Sequence, residues 1–320
     1  MCNDVTWIGI VSQTDDETAS YGRNIHMKLE IKNLTKTFDG AKALTNVSVT
    51  LNPGVYGLLG ANGSGKTTLF RLICGVIKAD EGKIIYNGED ISLNEEMFRS
   101  VLGFLPQDFS YYADFTGLKF MLYIAALKGL RGKLAKQRSL ELLDLVGLSE
   151  QKGKKIKKYS GGMKQRLGIA QAMINDPEVL ILDEPTVGLD PKERVRFRNL
   201  ISSLSDNKII ILSTHIVSDV ESISDEVLVL NKGVIQDRGS VNQLLKNIEN
   251  SVWEVRTTQR EMKSYYHSFS ISNQKYEGDD VVLRIISAKK PANNAVQAKA
   301  NLEDLYLYYF RTEVLGECRF

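Results

Sequence analysis

The sequence predicts an α/β fold, a mostly parallel sheet with helices on its faces, and three observations predict it. First, Gly60-Ala61-Asn62-Gly63-Ser64-Gly65-Lys66-Thr67-Thr68 lies between an apolar, strand-like run and a run with helical spacing, which is the setting of a phosphate-binding loop. Second, Val179-Leu180-Ile181-Leu182 has the continuous apolar character of a strand buried on both faces, and it ends in Asp183-Glu184. Third, strand and helix patterns go on alternating through the runs 209–212 and 227–230. In the loop, three glycines let successive backbone N–H groups turn toward one centre, where the following helix N-terminus adds partial positive charge. Lys66 is placed to reach the β- and γ-phosphates of a nucleotide, and the Thr67 hydroxyl to bind Mg²⁺.

A chain of 320 residues makes one large or two ordinary domains. Net charge +2 gives no reason to expect a nucleic-acid partner, and 25% charged with 43% apolar residues is a globular composition. No stretch approaches the roughly 20 apolar residues of a membrane helix. The longest candidate, 120–127, is bounded by Lys119 and Lys128 and reads as a buried helix, so work at a membrane requires a separate anchor. Cys2, Cys74 and Cys318 lie far apart without metal spacing and suggest a reducing compartment, with Cys74 a small buried apolar residue. Residues 1–26 lack the basic region of a signal peptide and precede the regular pattern, so they are expected to be a disordered or non-native extension.

From Met27 onward, Leu29, Ile31 and Leu34 outline a strand, 35–40 a polar turn carrying Phe38, and Val47, Val49 and Leu51 a second strand. Together they predict a small antiparallel sheet beside the phosphate-binding core. A strand over 83–86 and an apolar strand over 101–105 follow, the second stopping at Pro106 and leaving Gln107 just past its C-terminal end, where ligands of α/β sheets sit. Residues 108–176 turn helical, with an apolar face over 134–146 and Met163, Leu167, Ala170 and Ile174 at helical spacing. The lysines between them, Lys152, Lys154, Lys155, Lys157 and Lys158, read as a solvated face. Beyond about residue 250, strands at 252–255 and 281–286 and an aromatic-rich helix over 302–310 predict a small α+β unit, its Tyr306, Tyr308, Tyr309 and Phe310 serving packing.

Combined, these pieces make a site. Asp183 ends a strand parallel to the one feeding the loop, so its carboxylate can hold Mg²⁺ opposite Thr67, while Glu184 can orient a water toward the γ-phosphate. Ser160-Gly161-Gly162 puts a hydroxyl and two bare glycines at a second helix N-terminus, a further anion site far along the chain. Two such sites in one chain suggest that one serves a neighbouring subunit. Asp190-Pro191-Lys192-Glu193 is also a capping box with proline at the first helical position.

In order, the loop 60–67, Gln107, Ser160-Gly161-Gly162, Asp183-Glu184, Gly188-Leu189-Asp190 and His215 resemble the nucleotide-binding subunit of an ATP-binding cassette (ABC) transporter, over 27 to about 240. The resemblance implies a P-loop NTPase fold of ABC type, with an antiparallel β subdomain, a helical subdomain over about 108–176, a cassette over 27–245 and an accessory domain over 246–320. It implies a head-to-tail homodimer or heterodimer holding two ATP molecules with Mg²⁺, each between the loop of one subunit and the Ser-Gly-Gly helix of the other. Residue by residue, Phe38 resembles the adenine-stacking aromatic, Lys66 the phosphate clamp, Thr67 and Asp183 the magnesium ligands and Thr68 an α-phosphate contact. Gln107 resembles the sensor of magnesium and attacking water, Glu184 the catalytic base, Asp190 the aspartate that crosses to the partner, and His215 the γ-phosphate histidine. Phe38 replaces the commoner Tyr, keeping the π face and losing a hydroxyl, and Met163 replaces a frequent Gln, which leaves the contacts through backbone and Ser160 in place. The tail around Trp253-Glu254-Val255 and 302–310 resembles ATPase subunits of bacterial antibiotic and peptide exporters. These likenesses imply an ATPase powering a separate transmembrane permease from the cytoplasmic face of the membrane, for export of a drug, antibiotic, peptide or lipid-like substrate. Just past Gln107, Phe109, Tyr111, Tyr112 and Phe115 either form a groove for a short helix of that permease or pack the helical subdomain, two readings of equal weight. A soluble cassette ATPase acting on ribosome or nucleic acid is the rival, disfavoured by the single cassette and the lack of heptads. A binding module without turnover conflicts with Lys66, Asp183, Glu184 and His215 together.

Overall fold

The computed structural model describes residues 27–214 and 216–317, and the expectation for residues 1–26, with Cys2 and Cys318, lies outside the described residues. β1 (Leu29–Phe38) and β2 (Ala41–Leu51) form a hairpin that turns at Asp39-Gly40, and β3 (Gly54–Leu59) leads into the loop and α1 (Lys66–Ile73). β4 (Glu81–Tyr86) and β5 (Glu89–Asp90) complete an antiparallel sheet in the order β2-β1-β4-β5. The polar turn expected over 35–40 is mostly strand. The Asp80 carboxylate fixes it by accepting the Thr37 N–H and the Lys36 ammonium, each at 2.7 Å.

α2 (Glu95–Val101) was not legible in the sequence, so β6 (Leu102–Leu105) starts one residue later than the apolar run 101–105 predicts. Asn94 caps α2 by accepting the Met97 N–H, Glu95 and Glu96 face the positive end of its dipole, and Phe98 is buried against Tyr86. The helical stretch then resolves into α3 (Gly117–Leu127), α4 (Gly132–Leu145) and α5 (Gly161–Ala172).

After it come β7 (Val179–Asp183), α6 (Pro191–Leu204), β8 (Ile209–Ser213), α7 (Val217–Ile223), β9 (Glu226–Asn231) and β10 (Val234–Gly239). The central sheet runs β10-β9-β3-β8-β7-β6, parallel except for β10 at its edge. Alternate residues of its strands enter two cores. Val55, Leu59, Leu180, Leu182, Ile210 and Leu212 face one, which takes in the helical stretch, while Tyr56, Leu58, Ile181 and Ile211 face the other with α1 and the antiparallel sheet. Burying each such aliphatic side chain stabilises the sheet by about 1.5–3 kcal/mol. Cys74 packs into the second core, and burial pushes its thiol pKa up, which leaves it a small hydrophobe as expected.

The chain ends with α8 (Val241–Lys246), β11 (Val252–Thr258), α9 (Gln259–Ser268), β12 (Ser270–Glu277), β13 (Asp280–Ile286), β14 (Val296–Gln297) and α10 (Leu302–Glu317). Its sheet is antiparallel in the order β12-β13-β11-β14. β12 escaped the sequence reading because half of Ser270–Glu277 is polar and solvent-facing, and α10 outruns 302–310, losing helical dihedrals only at Phe310. Asp304 anchors α10 to this sheet. Fully buried, it accepts from Ser272 Oγ at 2.7 Å, Arg284 Nη2 at 2.7 Å and the Asn301 N–H at 2.9 Å. Asp304→Ala takes from the mostly buried Arg284 guanidinium its closer carboxylate, leaving only the half-exposed Glu254 at 3.2 Å, and is expected to destabilise this part of the chain by about 2 kcal/mol. Urea titration followed by the fluorescence of Trp253, in the same sheet, measures the loss; an unmoved midpoint would contradict it.

Candidate nucleotide site

The loop between β3 and α1 closes around the Lys66 ammonium, which donates to the Gly60 carbonyl at 2.6 Å and the Ala61 carbonyl at 2.9 Å. Two glycines are required by close backbone approach. Gly65 has φ 106°, and a Cβ there would stand 2.6 Å from the Ala43 carbonyl oxygen of β2; a Cβ on Gly60 would stand 2.6 Å from the Leu230 carbonyl oxygen of β9. Asn62 and Gly63 form the exposed apex, and Thr67 and Thr68 lie half-buried in the first turn of α1. Ser64 Oγ is buried without a hydrogen-bond partner, the kind of orphan that an anionic ligand's oxygen relieves.

β8 separates β3 from β7, and all three strands deliver polar groups at their C-terminal ends. Asp183, 2% exposed, accepts from Ser213 Oγ on Oδ1 at 2.5 Å and from Thr67 Oγ1 on Oδ2 at 3.1 Å. Two hydroxyls and one carboxylate are hard oxygen donors, and among the described residues no group of three or more His, Cys, Asp and Glu could cage a metal. This set fits Mg²⁺, which binds through one or two carboxylates and substrate phosphates while keeping several waters.

Glu184, next along, has φ 54° in the left-handed region, so the chain turns sharply off the strand. Its N–H donates to the Ser213 carbonyl at 3.1 Å and to Ser213 Oγ at 3.2 Å, and its carbonyl accepts from Gln165 Nε2 at 3.2 Å. Gln107 is exposed two residues beyond Leu105, which pairs with Leu182, so it stands over the same sheet edge as Asp183. Phe38 is 44% exposed on the hairpin whose Ala43 abuts Gly65, and Lys36 Nζ lies 5.4 Å from its ring centroid. His215 lies outside the described residues.

The second predicted anion site is a surface of its own. Ser160 caps α5 by accepting the Met163 N–H at 3.2 Å, with Ser160 and Gly161 exposed and Gly162 buried. Asp190 caps α6 through the Glu193 N–H at 2.8 Å, and Glu193 pairs with Arg166 at 2.9 Å, tying the start of α6 to the middle of α5. These bonds run within and between the two helices and not to loop 60–68. Ser213 and Gln165 received no role from the sequence. The signal for Ser213 was present, a hydroxyl ending an apolar strand, whereas one glutamine in an amphipathic helix gives none.

The ABC transporter family's sequence profile matches residues 44–187. The chain is 31% identical over 294 residues to the uncharacterized ABC transporter ATP-binding protein YxlF of Bacillus subtilis (strain 168), covering 87% of this chain and 98% of that one. It is 37% identical over 221 residues to the bacitracin transport ATP-binding protein BcrA of Bacillus licheniformis, covering 68% and 71%. Among solved structures, the dimeric bacterial ABC transporter cassette MJ0796 superposes with a TM-score of 0.62 at 26% identity, over 66% of this chain and 98% of that one. The chain therefore belongs to the ABC transporter family. It is the ATP-binding subunit of a transporter, an ATPase with the expected α/β cassette fold.

Proposed function

We propose that this subunit holds MgATP on loop 60–68, closes on a second nucleotide-binding subunit and, by hydrolysing ATP, drives a separate permease that exports an antibiotic, peptide or similar compound. The observation that carries the reading is the convergence of Thr67, Ser213 and Asp183 at one sheet edge, with Glu184 immediately beyond. Phe38 stacks on adenine, the loop N–H groups and Thr68 take phosphate oxygens, and the Lys66 ammonium turns from the two loop carbonyls to the β- and γ-phosphates. Thr67 and Asp183, with Gln107 near them, hold Mg²⁺, which when bound offsets charge on the phosphate oxygens. Glu184 accepts a proton from the attacking water, an effect of roughly 10²- to 10⁴-fold. Gln107 and His215 orient that water and the γ-phosphate. Ser160, Gly161, Gly162 and Asp190 close the partner subunit's site, which accords with the exposure of Ser160, Gly161 and Asp190 and with the distance of all four in sequence from loop 60–68.

The likeness to a bacitracin transport subunit supports export, and net charge +2 on a single cassette favours a permease partner over nucleic acid. No helix among the described residues is long and apolar enough to cross a membrane, so the reading assigns anchoring at the cytoplasmic face to the permease. The docking surface is a groove of about 590 Å³ beyond Gln107, lined by Pro106, Phe109, Tyr111, Tyr112 and Tyr123, with Tyr112 stacked on Phe115 at 4.9 Å. A photo-crosslinker at Tyr112 is expected to capture the co-expressed permease in detergent extracts. Capture by an equally exposed probe at Tyr276, with none at Tyr112, would relocate the interface.

A further inference from the structure

The C-terminal helix α10 does more than close the accessory sheet, because its middle turn is bonded to the wall of the phosphate loop. The Tyr309 hydroxyl donates to Asp237 Oδ2 at 2.6 Å, and the Tyr309 carbonyl accepts from Asn231 Nδ2 at 3.0 Å. Asp237 lies on β10 and Asn231 ends β9, so α10 grips both strands of the β9–β10 hairpin. The adjacent Phe310 is fully buried in the cassette core, which fixes the turn that presents Tyr309.

That hairpin is the back wall of the loop. Leu230, next to Asn231, presents the carbonyl oxygen that leaves Gly60 no room for a Cβ. Two residues on from Asn231, the Gly233 N–H donates to the Ser64 carbonyl at 3.0 Å, and the Gly233 carbonyl accepts from the Thr45 N–H of β2 at 2.8 Å. Asn231 thus sits between the two points at which the hairpin touches the loop. Its fixed orientation depends on the Tyr309 carbonyl, since Asn231 Oδ1 is buried with no partner of its own.

We propose that Tyr309 and Asn231 are positioning residues for ATP binding: through the β9–β10 turn, α10 sets the backbone of Gly60 and Ser64, so a displaced C-terminal helix weakens nucleotide affinity without touching nucleotide. The accessory domain then acts as an affinity control on its own cassette. The inference rests on loop 60–68 being the nucleotide site, a premise tested separately by Lys66→Ala.

The experiment compares the full chain with its Tyr309→Phe and Asn231→Ala variants, and with Tyr308→Phe, an exposed neighbour on the same helix, as control. Two measurements are made: the kinetics of MgATP hydrolysis, giving KM and kcat, and hydrogen exchange of residues 60–66 in the nucleotide-free protein. The expected result for Tyr309→Phe and Asn231→Ala is a KM raised 3- to 10-fold with kcat within twofold of the parent, and faster exchange at 60–66 while β7 and β8 stay protected. Tyr308→Phe should match the parent in both. Parent-like KM and exchange in Tyr309→Phe and Asn231→Ala overturn the proposal. Exchange that quickens across all three sheets, or a kcat that falls with unchanged KM, also overturns it, since either marks a merely structural role. Should Asn231→Ala fail to fold, Tyr309→Phe decides alone, because it removes one hydroxyl and keeps the ring. The exchange readout needs no nucleotide, so a coupling without ATP binding at the loop would still register and would shift the fault to the premise.

Discussion

Glu184→Gln is expected to bind MgATP with parent affinity, to lose hydrolysis by about 10³-fold, and to accumulate a nucleotide-bound dimer. The substitution keeps shape and hydrogen-bonding capacity but removes the group proposed to take a proton from water, and general-base contributions of 10²- to 10⁴-fold set the scale. The backbone of residue 184 is held by Ser213 and Gln165 through main-chain atoms, which the change leaves in place. Phosphate release measures the first effect and light scattering of the eluted protein the second. Turnover at the parent rate would remove Glu184 from its proposed role, and a variant that stays monomeric with MgATP would count against closure on a second subunit.

Lys66→Ala is expected to lose ATP binding at least 30-fold, the equivalent of about 2 kcal/mol for removing one partner of a close charge pair. Its ammonium bridges two loop carbonyls, so its removal also loosens the loop that the phosphates require. Calorimetric titration with MgATP gives the affinity directly. Thermal melting gives an independent reading: a saturating nucleotide at 100 times its dissociation constant stabilises a protein by about 2.7 kcal/mol, and the variant should show almost none of that. Parent-like affinity would mean that the phosphates lie elsewhere.

The sequence made the central sheet legible because its strands are buried on both faces and so read as unbroken apolar runs; β7 and β8 appear within a residue of their observed ends. The phosphate loop was legible for a different reason, since close approach of β2 and β9 leaves glycine alone at Gly65 and Gly60. What escaped depends on partners distant in the chain. α2 rests on an asparagine cap and one buried phenylalanine, β12 on pairing with β13, and the continuation of β1 through Phe38 on Asp80, 42 positions later by residue number. Within the site, the carboxylates announced themselves by ending an apolar strand. Gln165 did not, because its bond to the Glu184 carbonyl exists only once α5 is packed beside β7.

The φ of 54° at Glu184 bears on how such a subunit can be engineered. A glutamate there costs on the order of 1 kcal/mol that glycine or asparagine would largely recover. Screens for heat-tolerant versions of this chain will therefore tend to discard the very side chain assigned to turnover, and robustness gained at that position will arrive together with silence.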